Sequence, residues 1–333
     1  MPTALITGAS TGIGKATALR LAGAGWTVLA GVRSSAAGEA LVAEASAGRA
    51  VSLGRHISRG GDASQGGDAS PGGDAPQGDD VSPGGDAAPG REASPGREVP
   101  SERLTPIQLD ITDSAQIAAA AELVAQRTGA AGLDALVNNA GIAAGGPLEM
   151  LPLAQVRELM EVNFFGQLAV TQALIPALRL ARGRIVLLSS IGGLVTTPYM
   201  SPYHASKYAI EAIGNALRVE LRRSHIQVAL IEPGSVATPI WQKGNELIDG
   251  VQVPAELSQY YGHVPKAMEK TLADTAKRGV PPERVAEKIE GALNAKRMRA
   301  RYLIGLDAHA MVWISRLLPD LVFDRVLRRA VGV

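Results

Sequence analysis

The sequence contains no cysteine and few aromatic residues, and neither charge sign predominates. Without cysteine the chain cannot form disulfides, use a thiolate nucleophile or bind zinc through sulfur, and this composition fits a reducing compartment. The five histidines are dispersed, and no His, Asp and Glu cluster has the spacing of a metal site, so we expect no catalytic metal. The formal net charge is +1 with basic and acidic residues interleaved, which offers no general attraction for nucleic acid.

Long apolar runs are also missing. The N-terminus enters an apolar strand pattern at once, without the basic region and long apolar stretch of a secretory signal. No uninterrupted apolar segment reaches the length that spans a bilayer. We therefore expect a soluble, cytoplasmic protein.

Residues 55–103 contain almost no large apolar side chains, and residues 60–101 divide into hexads that begin GGDASQ, GGDASP and GGDAPQ. A hexapeptide β-helix would need a recurrent apolar residue to fill its interior, and these hexads offer little beyond alanine. We predict a disordered, solvated low-complexity insertion, with a partner- or ion-binding role as the alternative. A surface loop can carry it, because it falls between the second predicted helix and the third predicted strand.

In the rest of the chain, short β-branched or leucine-rich runs alternate with helix-period segments, which is typical of a parallel sheet with crossover helices. We predict a single Rossmann-type α/β domain over residues 1–333, doubly wound, with about seven strands. The predicted strands are 4–7, 27–32, 104–109, 135–138, 184–188, 227–231 and 302–304. The predicted helices are 13–24, 36–47, 113–128, 153–180, 203–223 and 282–296. Functional residues are expected at the carboxyl ends of the strands, where such sheets bind ligands.

The first predicted strand runs directly into a glycine-rich turn and then into a helix-forming stretch. Glycine there permits positive φ and close backbone approach, which leaves N–H groups and the positive end of the helix dipole to bind a pyrophosphate. A plain tight turn would also select glycine, but the strand before it and the helix after it favour a dinucleotide site. The predicted phosphate-binding residues are Gly8, Ser10, Thr11, Gly12, Ile13 and Gly14.

The segment TGASTGIG resembles the TGxxxGxG signature of the short-chain dehydrogenase/reductase family, in its shorter single-domain branch. Further motifs are similar in the same order over nearly the whole chain outside the insertion. The resemblance implies an adenine contact from Asp110, cofactor contacts from the NNAG segment, and contacts beside the nicotinamide from the PG segment. The residues concerned are Asn139, Ala140 and Gly141, and then Pro233, Gly234 and Thr238.

The same resemblance implies four catalytic residues: Asn163, Ser190, and the Tyr203 and Lys207 of a YxxxK motif. Tyr203 and Lys207 stand at i and i+4 of a helical segment, so both can project toward one cleft. A phenol with a pKa of about 10 is a poor base at neutral pH. A nearby ammonium and an oxidised nicotinamide favour the phenolate, which predicts Tyr203 as the general acid/base.

Ser190 would hold the substrate oxygen, Asn163 would position a water that links Lys207 to solvent, and Lys207 would also bind the nicotinamide ribose. Each residue alone has an ordinary structural explanation, as a core aromatic, a solvated helix face, or a turn or cap residue. Only their joint occurrence behind a nucleotide-binding turn favours catalysis.

The end of the second predicted strand bears on the choice of cofactor. Enzymes of this kind that use NAD present an acidic side chain there, and here the acid is absent and Arg33 follows the strand. An arginine can pair with a 2′-phosphate, which favours NADP, although Thr11 occupies the place of the base that usually marks NADP binding in the family. NADP is preferred and NAD is the alternative, with Arg33 as an ordinary surface residue in that case.

Residues 239–280 lack a clean period and contain Trp241, Tyr260, Tyr261 and Met268, which suggests a mobile lid over the substrate, or else a surface excursion. Tyr199, Met200 and residues 191–195 are expected to line the same pocket. These side chains are apolar and no fixed cluster of charges is visible, which favours a hydrophobic alcohol, ketone or aldehyde. Residues 306–333 form an amphipathic C-terminal extension. We expect this extension to pack on its own domain or on a partner subunit, with peripheral membrane contact as the minority alternative.

With this extension the chain is similar to the hydroxysteroid- and retinol-dehydrogenase-like members of the family, and the resemblance implies a homodimer or homotetramer. The resemblance implies an NAD(P)-dependent oxidoreductase that transfers a hydride between a nicotinamide cofactor and an alcohol, ketone or aldehyde. Two other functions remain open. One is a non-catalytic NAD(P)-sensing regulatory protein of the same fold, against which the intact Ser190, Tyr203 and Lys207 argue. The other is a sugar-nucleotide epimerase or dehydratase of the longer branch, which the glycine spacing disfavours.

Overall fold

The computed structural model describes residues 1–47, 101–238 and 253–331. Within them seven strands form one parallel sheet in the order β3-β2-β1-β4-β5-β6-β7, which confirms the predicted Rossmann-type fold. The strands are β1 Thr3–Ile6, β2 Thr27–Val32, β3 Leu104–Gln108, β4 Ala135–Asn138, β5 Arg184–Leu188, β6 Gln227–Pro233 and β7 Arg301–Ile304. The order reverses between β1 and β4, and that switch point opens a crevice beyond the carboxyl ends of the strands.

The helices cover both faces of the sheet. They are α1 Gly12–Gly23, α2 Ser35–Ser46, α3 Ser114–Thr128, α4 Leu153–Met160, α5 Gln167–Ala181, α6 Ser201–Glu220, α7 Ser258–Tyr261, α8 Val264–Arg278, α9 Pro282–Asn294, α10 Leu306–Leu317 and α11 Asp320–Val331.

Strand periodicity explains the two apolar layers of the core. Along β1, Ala4 and Ile6 face the layer that α1, α2 and α9 cover, whereas Leu5 faces the layer of α3, α5 and α6. All three side chains are fully buried, as is Leu136 in the adjacent β4. Central strands that are buried on both faces are typical of parallel sheets, and they give a rigid frame for the residues at their ends.

The structure corrects several predicted boundaries. The helix predicted over 153–180 is interrupted by a π-helical segment, Glu161–Gly166, which carries Asn163. The helix predicted over 203–223 begins at Ser201 and gives way to a 3₁₀ turn after Glu220. The stretch predicted to lack a clean period contains the 15-residue helix α8. The amphipathic extension is two helices, because Pro319 cannot continue α10.

Most of the predicted insertion, and residues 239–252 of the predicted lid with Trp241, lie outside the described residues. The last three residues of the predicted insertion, Ser101–Arg103, form a 3₁₀ turn that leads into β3. The prediction of a disordered hexad segment therefore stays a prediction.

Among the described residues, one helical stretch, Leu153–Ala181, is long and apolar enough by composition to cross a membrane. The core helix of a globular domain meets the same criterion. In this stretch Val170, Leu174 and Leu178 are buried in the apolar layer of α3 and β4. The stretch also carries Asn163 into the interior, so it serves here as a helix of the domain.

Candidate active site

The turn between β1 and α1 has the conformation that its glycines were expected to allow. Gly8 and Gly12 have φ values of +65° and +55°, in the left-handed region that favours glycine. A methyl group on Gly8 would lie 2.8 Å from the backbone Cα of Ala140, and one on Gly14 would collide with the carbonyl of Gly8. These close contacts fix the backbone of the turn as a cradle in front of the first turn of α1, which is the local geometry that holds a pyrophosphate.

The NNAG segment after β4 braces this cradle. The side-chain amide of Asn139 donates to the carbonyl oxygens of Thr7, at 2.9 Å, and Gly8, at 3.1 Å. The hydroxyl of Thr7 accepts from the backbone N–H groups of Asn139 and Ala140, both at 2.9 Å. These reciprocal bonds lock two neighbouring strand ends together, so the predicted phosphate-binding turn and the predicted cofactor-contacting NNAG segment lie side by side.

The two residues predicted to contact the adenosine half lie at the ends of β2 and β3. Arg33 directly follows β2 and is exposed, free to reach a ligand at the sheet edge. Asp110 is half-buried, and its Oδ1 accepts from the backbone N–H and the hydroxyl of Thr112, at 2.9 and 2.7 Å. The Asp110 carboxylate is thus fixed by its own loop at the edge where an adenine would lie.

Asn163 is fully buried in the π-helical segment. Its Oδ1 accepts from the backbone N–H of Ile142 at 2.8 Å, and its amide donates to the carbonyl of Ile142 at 2.9 Å and to the hydroxyl of Ser206 at 3.1 Å. Both amide hydrogens therefore serve protein partners, and a relay water would have to bind the remaining lone pair or the local backbone. Asn163 clamps the loop after β4 to α6.

Tyr203 lies in the first turn of α6, and its phenol is hydrogen-bonded to Ser190 at the end of β5. Tyr203 is 6% exposed and Ser190 is 8% exposed, so both hydroxyls meet in a nearly dry site. Burial raises the pKa of Tyr203, and the hydrogen bond from Ser190 opposes this only in part. In the free protein the phenol is therefore protonated at neutral pH and can donate a proton.

Lys207 is 5% exposed, and its Nζ donates to the carbonyl of Leu188 at 2.8 Å and lies 5.8 Å from the centre of the Tyr203 ring. Burial lowers the pKa of Lys207 to about 8, against the opposing charge of Glu211. The amine is thus still largely charged at neutral pH. The sequence expectation that Tyr203, Ser190 and Lys207 meet beside the strand ends agrees with this arrangement.

The PG segment at the end of β6 is held by β7 and by the first turn of the C-terminal extension. The backbone N–H of Gly234 donates to the carbonyl of Ile304 at 2.8 Å, and that of Ser235 donates to the Asp307 carboxylate at 2.8 Å. Thr238 lies four residues after Gly234, immediately before the stretch that the structure does not describe. Asp307 was not foreseen from the sequence, because nothing in its local pattern links it to a strand end about seventy residues earlier.

The wall beyond Tyr203 is mostly apolar. Tyr203 packs in a small cluster with Ala143, Ala144 and the partly buried Met200. The tip of Met268, from α8, comes within 3.0 Å of a methyl group built on Gly145, which places α8 against the same wall. Helix α8, which belongs to the predicted lid, therefore lies close to Tyr199 and Met200, which the sequence predicts to line the substrate pocket.

Comparison with known proteins agrees with this geometry. A family model described as short chain dehydrogenase matches residues 2–58 and 89–248. The chain is 35% identical over 226 residues to NADPH-dependent 3-dehydrocapnine reductase of Ornithobacterium rhinotracheale, a match that covers 65% of this chain and 77% of the relative. It is 34% identical over 239 residues to 17-beta-hydroxysteroid dehydrogenase type 6 of Bos taurus, covering 69% and 74%.

Among solved structures, a short-chain dehydrogenase from Streptomyces avermitilis superposes with a TM-score of 0.66 at 25% identity, covering 98% of this chain and 95% of that one. The agreement thus extends from the glycine turn through the YxxxK helix and the strand order. Because the family model alone spans more than half of the sequence, we conclude that this protein is a member of the short-chain dehydrogenase family and an oxidoreductase.

Proposed function

We propose that this protein is an NADP-preferring carbonyl reductase or alcohol dehydrogenase that acts on a hydrophobic alcohol, ketone or aldehyde, with Tyr203 as the general acid/base. The observation that carries the proposal is the buried hydrogen bond between Tyr203 and Ser190, with the Lys207 amine beside the same ring. A phenol, a hydroxyl and an amine that converge at the strand ends are the groups that a carbonyl oxygen needs when it gains a proton.

The cofactor would lie across the switch point, with its pyrophosphate on the Gly8 and Gly14 turn. A side chain at either glycine would collide with neighbouring protein atoms, at Ala140 or at the Gly8 carbonyl, so the tight turn that presents its N–H groups to a phosphate requires glycine there. The nicotinamide supplies or accepts the hydride when bound. Arg33 supports NADP, since an exposed guanidinium after β2 can pair with a 2′-phosphate, and the relative from O. rhinotracheale is named as NADPH-dependent.

In the reduction direction, the hydroxyl of Ser190 donates a hydrogen bond to the substrate oxygen and holds it against Tyr203. As negative charge develops on that oxygen, Tyr203 donates its phenolic proton, and the resulting phenolate is stabilised by the ammonium of Lys207. Oxidation runs the same steps in reverse, with the phenolate taking the hydroxyl proton. Lys207 would also hydrogen-bond the nicotinamide ribose.

Apolar surroundings support the substrate class. Ala143, Ala144 and Met200 pack beside Tyr203, and they offer a substrate dispersion contacts and no fixed charge. The relative from Bos taurus is named for a hydroxysteroid, which is a hydrophobic secondary alcohol, and this name supports the same class.

The test is NADPH and NADH consumption over a panel of hydrophobic ketones and aldehydes, with Tyr203→Phe compared against Tyr208→Phe. Tyr208 lies on the same helix and is 42% exposed, so it controls for loss of a phenol as such. We expect turnover by the wild type and a loss of about 10²–10⁴-fold in kcat for Tyr203→Phe alone, with cofactor binding kept. Cofactor binding without turnover of any substrate, and no effect of Tyr203→Phe, would instead favour the NAD(P)-sensing protein.

We also propose a homodimer or homotetramer. Trp313, Leu317 and Leu321 on the C-terminal helices are 64%, 72% and 74% exposed, which supports their being covered by another subunit. Light scattering on the full chain would decide this, since a monomer at micromolar concentration would contradict it.

A further inference from the structure

Behind Lys207, two buried carboxylates meet one partly exposed guanidinium. Glu211 lies one turn after Lys207 on α6, Glu232 directly precedes Pro233 at the end of β6, and Arg301 begins β7. Nη2 of Arg301 lies 2.9 Å from Oε2 of Glu211, and its Nε lies 2.8 Å from Oε1 of Glu232. The side chains of Glu211 and Glu232 are only 7% and 2% exposed.

Two buried carboxylates thus share one guanidinium, so full ionisation would leave an excess negative charge in the interior. Oε1 of Glu232 is approached only by Nε of Arg301 among the described donors, and Oε1 of Glu211 accepts no hydrogen bond from a described N–H or O–H group. Burial, together with the neighbouring Glu211, raises the pKa of Glu232 to about 7. The Glu211 carboxylate is held in place by its 2.9 Å contact with the Arg301 guanidinium.

Other charged groups surround the cluster of Glu211, Glu232 and Arg301. A cavity between β7 and α10 reaches Glu232 and Arg301, and its other charged or titratable lining groups are Lys288, Arg299, Tyr302, His309 and Arg316. Lys288, Arg299, His309 and Arg316 are exposed, so solvent and salt screen their charges. On the inner side Glu211 faces Lys207 along α6 and packs on the backbone of Gly193, since a methyl group there would lie 3.0 Å from its Cγ.

Lys207 needs such a counter-charge. It is 5% exposed, and among the described contacts its Nζ has one hydrogen bond, to the carbonyl of Leu188. Residues at i and i+4 of a helix lie on one face, which places the carboxylate of Glu211 on the Lys207 side of α6. Burial lowers the pKa of Lys207, and the negative charge of Glu211 acts in the opposite direction.

We propose that Glu211 is a positioning residue for catalysis: held by Arg301 in a cluster with Glu232, its carboxylate stabilises the positive charge of the buried Lys207 amine. The role of Lys207 in supporting the Tyr203 phenolate rests on the proposed function, but the electrostatic coupling of Glu211 to Lys207 does not.

The test follows the titration of Lys207 in the unliganded full chain labelled with [ε-¹³C]lysine, with its resonance assigned by its loss in Lys207→Arg. In Glu211→Gln, which removes the charge and keeps the shape, we expect the Lys207 midpoint to fall by about one pH unit. Glu211→Asp restores the charge and should bring the midpoint back toward that of the wild type. Glu220→Gln makes the same chemical change at an exposed position of the same helix and should leave the midpoint unchanged.

An unchanged midpoint in folded Glu211→Gln, or an equal fall in Glu211→Asp, would overturn the proposal. Should Glu211→Gln fail to fold, Glu232→Gln removes the second carboxylate of the cluster and should lower the midpoint by a smaller amount; no change there would also overturn it. Because this titration needs no turnover, its failure is distinct from failure of the proposed reaction. In the active enzyme, the alkaline limb of kcat/KM should move to lower pH in Glu211→Gln and not in Glu220→Gln.

Discussion

The phenolic oxygen of Tyr199 lies 3.1 Å from Nε2 of His263, which joins the loop before α6 to the residue before α8. Tyr199 has a φ of +66°, a left-handed conformation that is uncommon for a residue with a side chain. Such strain persists only where surrounding contacts enforce it. The pair therefore fixes the start of α8 against the substrate side of the site.

Tyr199→Phe should loosen this attachment while keeping the aromatic ring. One neutral hydrogen bond contributes about 0.5–1.5 kcal/mol, so we expect KM for a large substrate to rise about two- to tenfold with kcat little changed. Hydrogen exchange of the amides of α8 should become faster. Tyr260→Phe, at a 61% exposed position, is the control, and equal behaviour of the two variants would argue against the attachment.

Arg33→Asp should reverse the cofactor preference. Hydrogen bonds to a charged group contribute about 1.5–3 kcal/mol, so kcat/KM for NADPH should fall about 10- to 100-fold, while an acid at this place can bind ribose hydroxyls and improve use of NADH. Arg223→Asp, another exposed arginine far along the chain, should change neither value. If Arg33→Asp retains the wild-type ratio of kcat/KM for NADPH to kcat/KM for NADH, Arg33 is an ordinary surface residue.

Asn163→Ala should lower both the free energy of unfolding and kcat. It leaves the backbone groups of Ile142 without their side-chain partner, and a buried unsatisfied group costs about 1–3 kcal/mol. Urea unfolding should show a loss of this size, with a lower kcat because α6 is no longer clamped. Asn294→Ala, at an exposed helix end, provides the comparison, and equal stability of the two variants would contradict the clamp.

Stability should depend on pH through Glu232. Its pKa in the folded state is raised to about 7, above the usual value of 4.5, so the folded state binds more protons between these pH values. The contribution is fully present at the acidic end of this window and is lost as the pH rises through about 7. Glu232→Gln removes the titrating group, so the free energy of unfolding of the wild type should fall relative to the variant.

Urea unfolding of the wild type and Glu232→Gln at pH 5, 6, 7 and 8 would measure this difference, with about 1.4 kcal/mol expected for each unit of pKa shift that is realised. Glu220→Gln should track the wild type throughout. A constant offset between the wild type and Glu232→Gln would show that the carboxyl does not titrate in this range.

The fold and much of the site could be predicted because their signals are local. Strands such as β1 and β4 are short apolar runs, and the glycine turn and the YxxxK spacing each lie within a few residues. The sequence could not predict the π-helical segment around Asn163, since tertiary hydrogen bonds to Ile142 and Ser206 decide it. Glu211, Glu232 and Arg301 were missed for the same reason, as their pairing joins three distant elements.

The contact between Asp307 and Ser235 gives the end of the chain a role that its amphipathic pattern does not suggest. The last helices are not merely an appendage, because their first turn supports the loop that the nicotinamide would touch. Trimming the protein just before residue 305 would remove that support. A substitution at Asp307 would therefore reach the end of β6 from an element that lies outside the crevice.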